Sequence, residues 1–133
     1  MIQRFTTSLE TDLLVKFDHF IRRRKYNNRS EAIRDLIRRA ILTDAWTGNR
    51  EVVGVVTLVF GHHQHTVQDR IADIQHDHHA LVISTTHIHL THDECLEVII
   101  LRGPASRIKA VADQLIALRG VKDGALTTTG LTG

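Results

Sequence analysis

The chain has 133 residues, a single cysteine and a formal net charge of +2 at pH 7. One cysteine excludes an intrachain disulfide, so nothing in the composition requires an oxidising compartment. The first residues lack the apolar core of a signal peptide, and the longest apolar run, residues 52–60, is far too short to span a bilayer. We therefore expect a cytoplasmic protein without a membrane partner.

Charge is distributed unevenly along the chain. Residues 1–50 contain eleven Lys and Arg against six Asp and Glu, whereas residues 51–133 contain six against nine and hold nine of the ten histidines. A basic first part suggests a nucleic-acid partner, and the His-rich second part suggests a different role. A unit of about 50 residues buries too little surface to be stable alone, which predicts oligomerisation.

The first 45 residues predict a strand followed by two helices. Residues 2–9 alternate in polarity, which places Arg4, Thr6 and Ser8 on the polar face of a short strand. Apolar residues at helical spacing follow from residue 11 to about residue 25, and a second helical stripe follows Ser30, a favourable N-cap. A single strand needs a partner, so this unit should pair with a second chain.

The remainder of the chain predicts an α+β domain. The stretch that contains Trp46 predicts a linker, residues 46–51, between a first domain at 1–45 and a second at 52–133. Periodicity in the second domain predicts, in order, strand 52–60, helix 64–79, strands 80–91 and 95–101, a helix with Pro104 in its first turn and Gly120 as its cap, and strand 121–128. The order βαββαβ is that of a ferredoxin-like fold.

Two histidines and the cysteine form the main candidate for a metal site. His87 and His89 lie two residues apart on a predicted strand, so they share one face at roughly 7 Å between their Cα atoms. An antiparallel hairpin with a turn near residues 91–94 brings Cys95 beside His89. Two imidazoles and a thiolate suit a borderline or soft metal, although a polar sheet face with a buried cysteine explains the same pattern. A fourth ligand is lacking, and the histidine cluster at 76–79 offers one.

The first domain resembles the ribbon-helix-helix DNA-binding family. The resemblance rests on residues 27–38, NNRSEAIRDLIR, which match that family's turn and second helix. It implies that two chains pair their strands in the major groove, where Arg4, Thr6 and Ser8 read base edges. The start of the second helix, with Asn28, Arg29 and Ser30, is then expected to hold a DNA phosphate.

Together the two domains resemble the NikR-type nickel-responsive repressors, the second domain being similar to the ACT type. The further motifs are Gln75-His76, His87-Ile88-His89 and the sequence CLEV that starts at Cys95. The resemblance implies one Ni²⁺ per chain in a square plane. Its ligands would be His87, His89 and Cys95 of one chain and His76 of a neighbour. Three imidazoles and a thiolate in a plane suit Ni²⁺ or Cu²⁺, whereas Zn²⁺ favours a tetrahedron.

Weaker assignments concern residues around these ligands. Gln75 and Glu97 are candidates for orienting the metal ligands. The resemblance also implies a further cation near Glu31 and Asp35. We assign the remaining histidines of the second domain to solvated surface or weak secondary metal sites: His62, His63, His65, His78, His79 and His92.

The resemblance implies a nickel-activated transcriptional repressor, not an enzyme. It would be a homotetramer, a dimer of dimers on a palindromic double-stranded operator, that controls nickel-uptake genes. The alternatives are a metal-independent antitoxin-like ribbon-helix-helix protein and an amino-acid-sensing ACT regulator. A metalloenzyme with two His, one Cys and an open position is a third alternative, but no substrate-pocket signature accompanies Glu94 or Glu97, which would have to serve as the base.

Overall fold

The computed structural model describes residues 1–130, so the last three residues of the predicted second domain lie outside the described part. The described chain forms two compact units, and the division between them falls between Ile41 and Leu42. Within residues 1–130, no helix is long and apolar enough to cross a membrane. The elements in chain order are α1 (Thr11–Arg23), α2 (Arg29–Thr47), β1 (Glu51–Gly61), α3 (His65–Asp77), β2 (Val82–His89), β3 (Glu94–Pro104), α4 (Ala105–Ile116) and β4 (Val121–Thr129).

The strand predicted at residues 2–9 is not formed within the single chain. Residues 1–10 carry no regular structure, and Phe5 is 68% exposed. The physical reason is the one that makes a lone strand unstable, since its N–H and C=O groups have no second strand to bond. Helix α1 also ends at Arg23, two residues earlier than expected, because Lys25 takes a left-handed conformation with φ of 62°.

The N-cap of α2 is Asn28, and the prediction of Ser30 was wrong. Helix α2 begins at Arg29, which places Ser30 inside the first turn. The Asn28 Oδ1 atom accepts a hydrogen bond of 2.9 Å from the N–H of Glu31. This bond satisfies one of the N–H groups that the first turn of a helix leaves without an acceptor.

Replacing Asn28 with Ala is therefore expected to destabilise the protein. Loss of a side-chain N-cap costs about 1 kcal/mol of unfolding free energy. Chemical unfolding at one fixed protein concentration measures it. The control is Asn27→Ala, one residue away and also exposed; equal effects of the two substitutions would contradict the assigned cap.

The segment predicted as a linker begins inside a helix. Helix α2 continues to Thr47 and β1 begins at Glu51, so only residues 48–50 lie between the two elements. The Trp46 indole packs against the core of the second unit, and its Nε1 donates to the Thr129 carbonyl at 3.1 Å. Partial burial of a large aromatic ring with its N–H bonded stabilises this conformation of the segment.

The second unit has the predicted βαββαβ order, which confirms the α+β class. Its sheet has the strand order β2-β3-β1-β4, and all neighbouring strands are antiparallel. Alternate residues of β1, including Val56 and Leu58, are fully buried and pack with α3 and α4 in one apolar core. Both helices therefore cover the same face of the sheet, and β2 is left as an exposed edge strand.

Two residues at the ends of α4 differ from their predicted roles. Pro104 is the N-cap, so the first helical residue is Ala105. The helix ends at Ile116, and Gly120 lies in the following turn with φ of +102°. A Cβ atom there would lie 2.2 Å from Val67 Cγ2, so both the conformation and the close approach require glycine.

Candidate metal centre

Cys95 lies where three strands run side by side. It is opposite His89 in the pairing of β2 with β3, and opposite Phe60 in the pairing of β1 with β3. The hairpin predicted between residues 80 and 101 is thus present. The Cys95 side chain is fully buried, whereas His89, on the edge strand, is exposed. One candidate ligand therefore lies in the core and the other on the accessible edge strand.

The structure gathers His62, His89 and Cys95 around one point. Their ligand atoms all lie within 4.8 Å of one another, with Cys95 Sγ at 3.3 Å from His62 Nδ1 and at 3.6 Å from His89 Nδ1. The rings of His62 and His89 meet edge-on with centroids 4.7 Å apart. Two imidazole nitrogens beside one thiol are a ligand set for a borderline or soft metal.

His62 is the residue that the sequence did not assign to this cluster. It follows the last residue of β1, and its N–H donates to the Asp93 carbonyl at 2.7 Å. This bond holds the chain beside the β2–β3 turn and so beside Cys95. The place of His62 beside Cys95 depends on the long-range pairing of β1 with β3, which the local periodicity of the sequence does not predict.

His87, one of the predicted ligands, lies next to the cluster. Its ring centroid is 5.2 Å from that of His89 and 5.9 Å from that of Phe60. Its Nδ1 atom lies 3.9 Å from Glu97 Oε2, across the β2–β3 pairing. Within residues 1–130, the group of possible metal ligands that contains Cys95 does not include His87.

His76, the other predicted ligand, lies on α3, and the described part of the chain does not bring it into this cluster. The centroid of its ring lies 6.4 Å from that of the His79 ring.

The surroundings of His62 favour the neutral form of its imidazole. Burial lowers the pKa of His62, and the neighbouring imidazoles, first of all His89, lower it further. Since a metal binds imidazole only in its neutral form, this shift leaves the side chain ready to bind at neutral pH.

Comparison with known proteins decides the family. Residues 53–129 match the family model described as the NikR C-terminal nickel-binding domain, and residues 3–44 match the model of ribbon-helix-helix proteins of the CopG family. The chain belongs to the NikR family. It is accordingly a nickel-responsive regulator of transcription with a ribbon-helix-helix domain, and not an enzyme.

Relatives match over nearly the whole chain. The chain is 48% identical over 132 residues to a protein of Desulfotalea psychrophila, which covers 98% of this chain and 97% of that one. It is 49% identical over 128 residues to a protein of Desulfovibrio desulfuricans, with 96% and 93% covered. The names of both describe a nickel-responsive regulator.

One solved structure shows a similarity in fold alone. It is the uncharacterized protein TM1266 from Thermotoga maritima, with a TM-score of 0.50 and 11% identity. It matches 62% of this chain and 100% of its own.

In this NikR-family protein a series of hydrogen bonds runs from β2 through α3 to Glu97, the carboxylate that faces the candidate ligand His87. The Thr85 hydroxyl donates to Gln75 Oε1, and Gln75 Nε2 donates to Glu97 Oε1 at 3.3 Å. The other Glu97 oxygen faces His87, as described above, and the Glu97 side chain is only 12% exposed. A carboxylate held in this way can fix the orientation of an imidazole and raise its basicity.

Replacing Glu97 with Gln is expected to weaken Ni²⁺ binding by roughly 10–100-fold, the usual cost of losing an orienting partner. The thiolate-to-metal absorption band should remain, because Cys95 is untouched. Competition with a chelator measures the affinity. Glu51→Gln, an exposed carboxylate at the start of β1, is the control. Equal affinity in Glu97→Gln and wild type would contradict an orienting role.

Some of the residues predicted to contact DNA are exposed, whereas others have side chains that are hydrogen-bonded within the chain. Arg4, Thr6 and Ser8 are exposed in the first ten residues. The Asn28 side chain is engaged as the α2 cap. Arg29 forms two hydrogen bonds to Asp18, of 3.0 and 2.9 Å, which lower the pKa of Asp18 and raise that of Arg29.

Glu31 and Asp35, the two residues predicted near a further cation, lie one turn apart on α2. Asp35 accepts a hydrogen bond from the Tyr26 hydroxyl, which raises the pKa of Tyr26. The N–H of Glu31 is bonded to Asn28 and is not available to a phosphate. Within residues 1–130, neither carboxylate belongs to a group of three metal-binding side chains.

Proposed function

We propose that this regulator binds one Ni²⁺ per chain at Cys95, and that the ion makes the protein competent to bind its operator. The observation that carries the proposal is the strand register, which sets the buried Cys95 thiol opposite His89 and sets His87 opposite Glu97. We propose His87, His89 and Cys95 as ligands from one chain and His76 of a second chain as the fourth. His62, which contacts Cys95 Sγ at 3.3 Å, is the competing candidate within the chain.

The chemistry of these donors supports Ni²⁺. Imidazole and thiolate are stronger-field and softer donors than carboxylate or water, and four of them in a plane match Ni²⁺ or Cu²⁺ better than Zn²⁺. Cu²⁺ binds such donors at least as tightly, so metal availability has to contribute to selectivity. Binding displaces the proton of Cys95, so the affinity for the ion should fall in acid.

Exposed apolar surface supports a homotetramer built as a dimer of dimers. In the first unit Ile2, Phe5 and Leu9 are exposed in one chain, as expected if two such segments pair as a ribbon. In the second unit the sheet face away from α3 and α4 remains partly exposed and includes Val55, Val59 and other residues. A half-exposed apolar sheet face is the kind of surface that a second copy of the chain covers.

Coupling between the two units would follow from a population shift. An ion that uses His76 of a neighbouring chain ties two chains together and favours the arrangement it bridges. It activates DNA binding only if that arrangement also presents both ribbons to DNA, which requires tighter Ni²⁺ binding in the DNA-competent state. Two ribbons on one tetramer predict a palindromic operator with half-sites set some helical turns apart.

The biological role that fits is repression of nickel-uptake genes from the cytoplasm, where the operator DNA lies. Selection from random-sequence duplexes, with reduced protein in Ni²⁺ or in a chelator, tests the function. We expect one palindromic sequence to be enriched with Ni²⁺ and none with the chelator. Enrichment of the same sequence under both conditions would instead indicate a metal-independent repressor.

A further inference from the structure

Asp18 of α1 binds the side chain of Arg29, the first residue of α2. The Arg29 Nε atom donates to Asp18 Oδ1 at 3.0 Å, and its Nη2 atom donates to Asp18 Oδ2 at 2.9 Å. These bonds use two of the five N–H donors of the guanidinium, so the donors of Nη1 and one of Nη2 remain on the opposite edge. The Arg29 side chain is 57% exposed, which leaves room for a ligand at that edge.

The effect of this pair is on geometry more than on the stability of the fold. The Asp18 side chain is 35% exposed, and water screens an ion pair at such exposure. An arginine without a partner samples many rotamers, whereas two parallel hydrogen bonds hold the guanidinium plane in one orientation. The side chain is therefore ordered before a ligand arrives, which lowers the entropic cost of binding that ligand.

The charges around the pair favour an anionic ligand. The last turn of α1 contains Arg22 and Arg23, and an arginine and a lysine follow at positions 24 and 25. The Arg22 Nε atom donates to the Asp18 carbonyl at 3.4 Å, so a second guanidinium lies beside the pair. The local charge is positive in spite of the Asp18 carboxylate, and it attracts an anion.

We propose that Asp18 is a positioning residue for DNA binding, and that it holds Arg29 so that the opposite edge of the guanidinium binds a backbone phosphate. The inference rests on the operator binding proposed above and adds a residue that itself touches no nucleotide. Phosphate oxygens accept parallel N–H bonds from an arginine, so Nη1 and Nη2 suit them. Because phosphate contacts carry no base information, the pair should strengthen binding to any duplex.

The direction of the effect separates positioning from simple charge. Asp18→Asn removes one negative charge from each chain, so electrostatics alone would tighten DNA binding. Loss of the pair should instead weaken binding by roughly 2–12-fold for each chain that makes the contact, the usual cost of ordering one long side chain. Asp12→Asn, which removes an exposed carboxylate from the first turn of α1, is the control and should bind at least as tightly as wild type.

Fluorescence anisotropy of the full chain with Ni²⁺, on the selected operator and on a random duplex at low salt, tests the proposal. Asp18→Asn should lower both affinities by the same factor, which leaves their ratio and the nickel absorption band unchanged. The same substitution in an Arg29→Gln background should lower neither affinity, because Asp18 acts through Arg29. Chemical unfolding of each variant measures whether the fold is kept.

Three results would overturn the positioning role. One is an Asp18→Asn variant that binds both duplexes as tightly as wild type or more tightly. Another is an equal loss in the Arg29→Gln background, or a chain that no longer folds, which would assign Asp18 to the stability of the fold. The third is a loss confined to the operator, which would indicate base reading.

Failure of the regulatory function has a different signature in this experiment. Nickel dependence is measured on the wild type, so a wild type that binds the operator equally well without Ni²⁺ contradicts that function and leaves the comparison at Asp18 intact. A wild type that binds neither duplex would overturn both proposals.

Discussion

Replacing Cys95 with Ala is expected to abolish the thiolate-to-nickel absorption band and to weaken Ni²⁺ binding by more than about 100-fold. Loss of a residue that only orients a ligand already costs roughly 10–100-fold, and Cys95 is proposed as a ligand itself. Its sulfur is the one thiolate donor that the sequence offers, because the chain has a single cysteine. Nickel-dependent operator binding should be lost in the same variant.

The control for this variant is His65→Ala, which removes an exposed imidazole from outside the cluster. Circular dichroism should confirm that both variants fold, since Cys95 is buried and its removal leaves a small cavity. Cys95→Ala with an unchanged absorption band and affinity would contradict the proposed site. In that case His62 and the other histidines would have to bind the ion without the thiolate.

Replacing Arg4 with Ala is expected to lower the affinity for the operator strongly while nickel is bound. An arginine that bonds a guanine bidentately contributes about 1–3 kcal/mol of discrimination. If all four chains of a tetramer make this contact, even the low end gives about 4 kcal/mol, roughly a thousandfold in affinity. Fluorescence anisotropy with the selected operator measures the loss, and Ni²⁺ binding should be unaffected.

Two comparisons separate base reading from general charge in this experiment. Arg107→Ala removes the same charge from an exposed position on α4 and should have little effect. Arg4→Lys keeps the charge but loses the planar fork, so it should recover affinity for random DNA more than affinity for the operator. Arg4→Ala with an unchanged ratio of operator to random-DNA affinity would rule out base reading by Arg4.

Local patterns in the sequence predicted the hairpin that carries the candidate site. Alternation around His87 and His89 and a polar turn before Cys95 are enough to place His89 opposite Cys95, because the pairing spans only a few residues. The αβ order of the second domain followed from the same kind of periodicity. These features depend on residues close together in the sequence, so the pattern of the sequence is enough to predict them.

Features that depend on distant contacts could not be predicted in the same way. His62 joins Cys95 only because β1 pairs with β3, and nothing in the sequence around residue 62 reports that pairing. The strand at residues 2–9 needs a second chain, so it is not formed in one chain alone. The sequence predicts Ser30 as the α2 cap, but the hydrogen bond from the Glu31 N–H to Asn28 places the cap two residues earlier.

A single titration tests most directly whether nickel at Cys95 controls DNA binding. Ni²⁺ is added to reduced protein in the presence of fluorescent operator, and the absorption band and DNA anisotropy are followed together. The account predicts that both signals rise in step and reach their plateau at one equivalent per chain. Full operator binding before any nickel is added, or a band that saturates while anisotropy stays at its starting value, would contradict it.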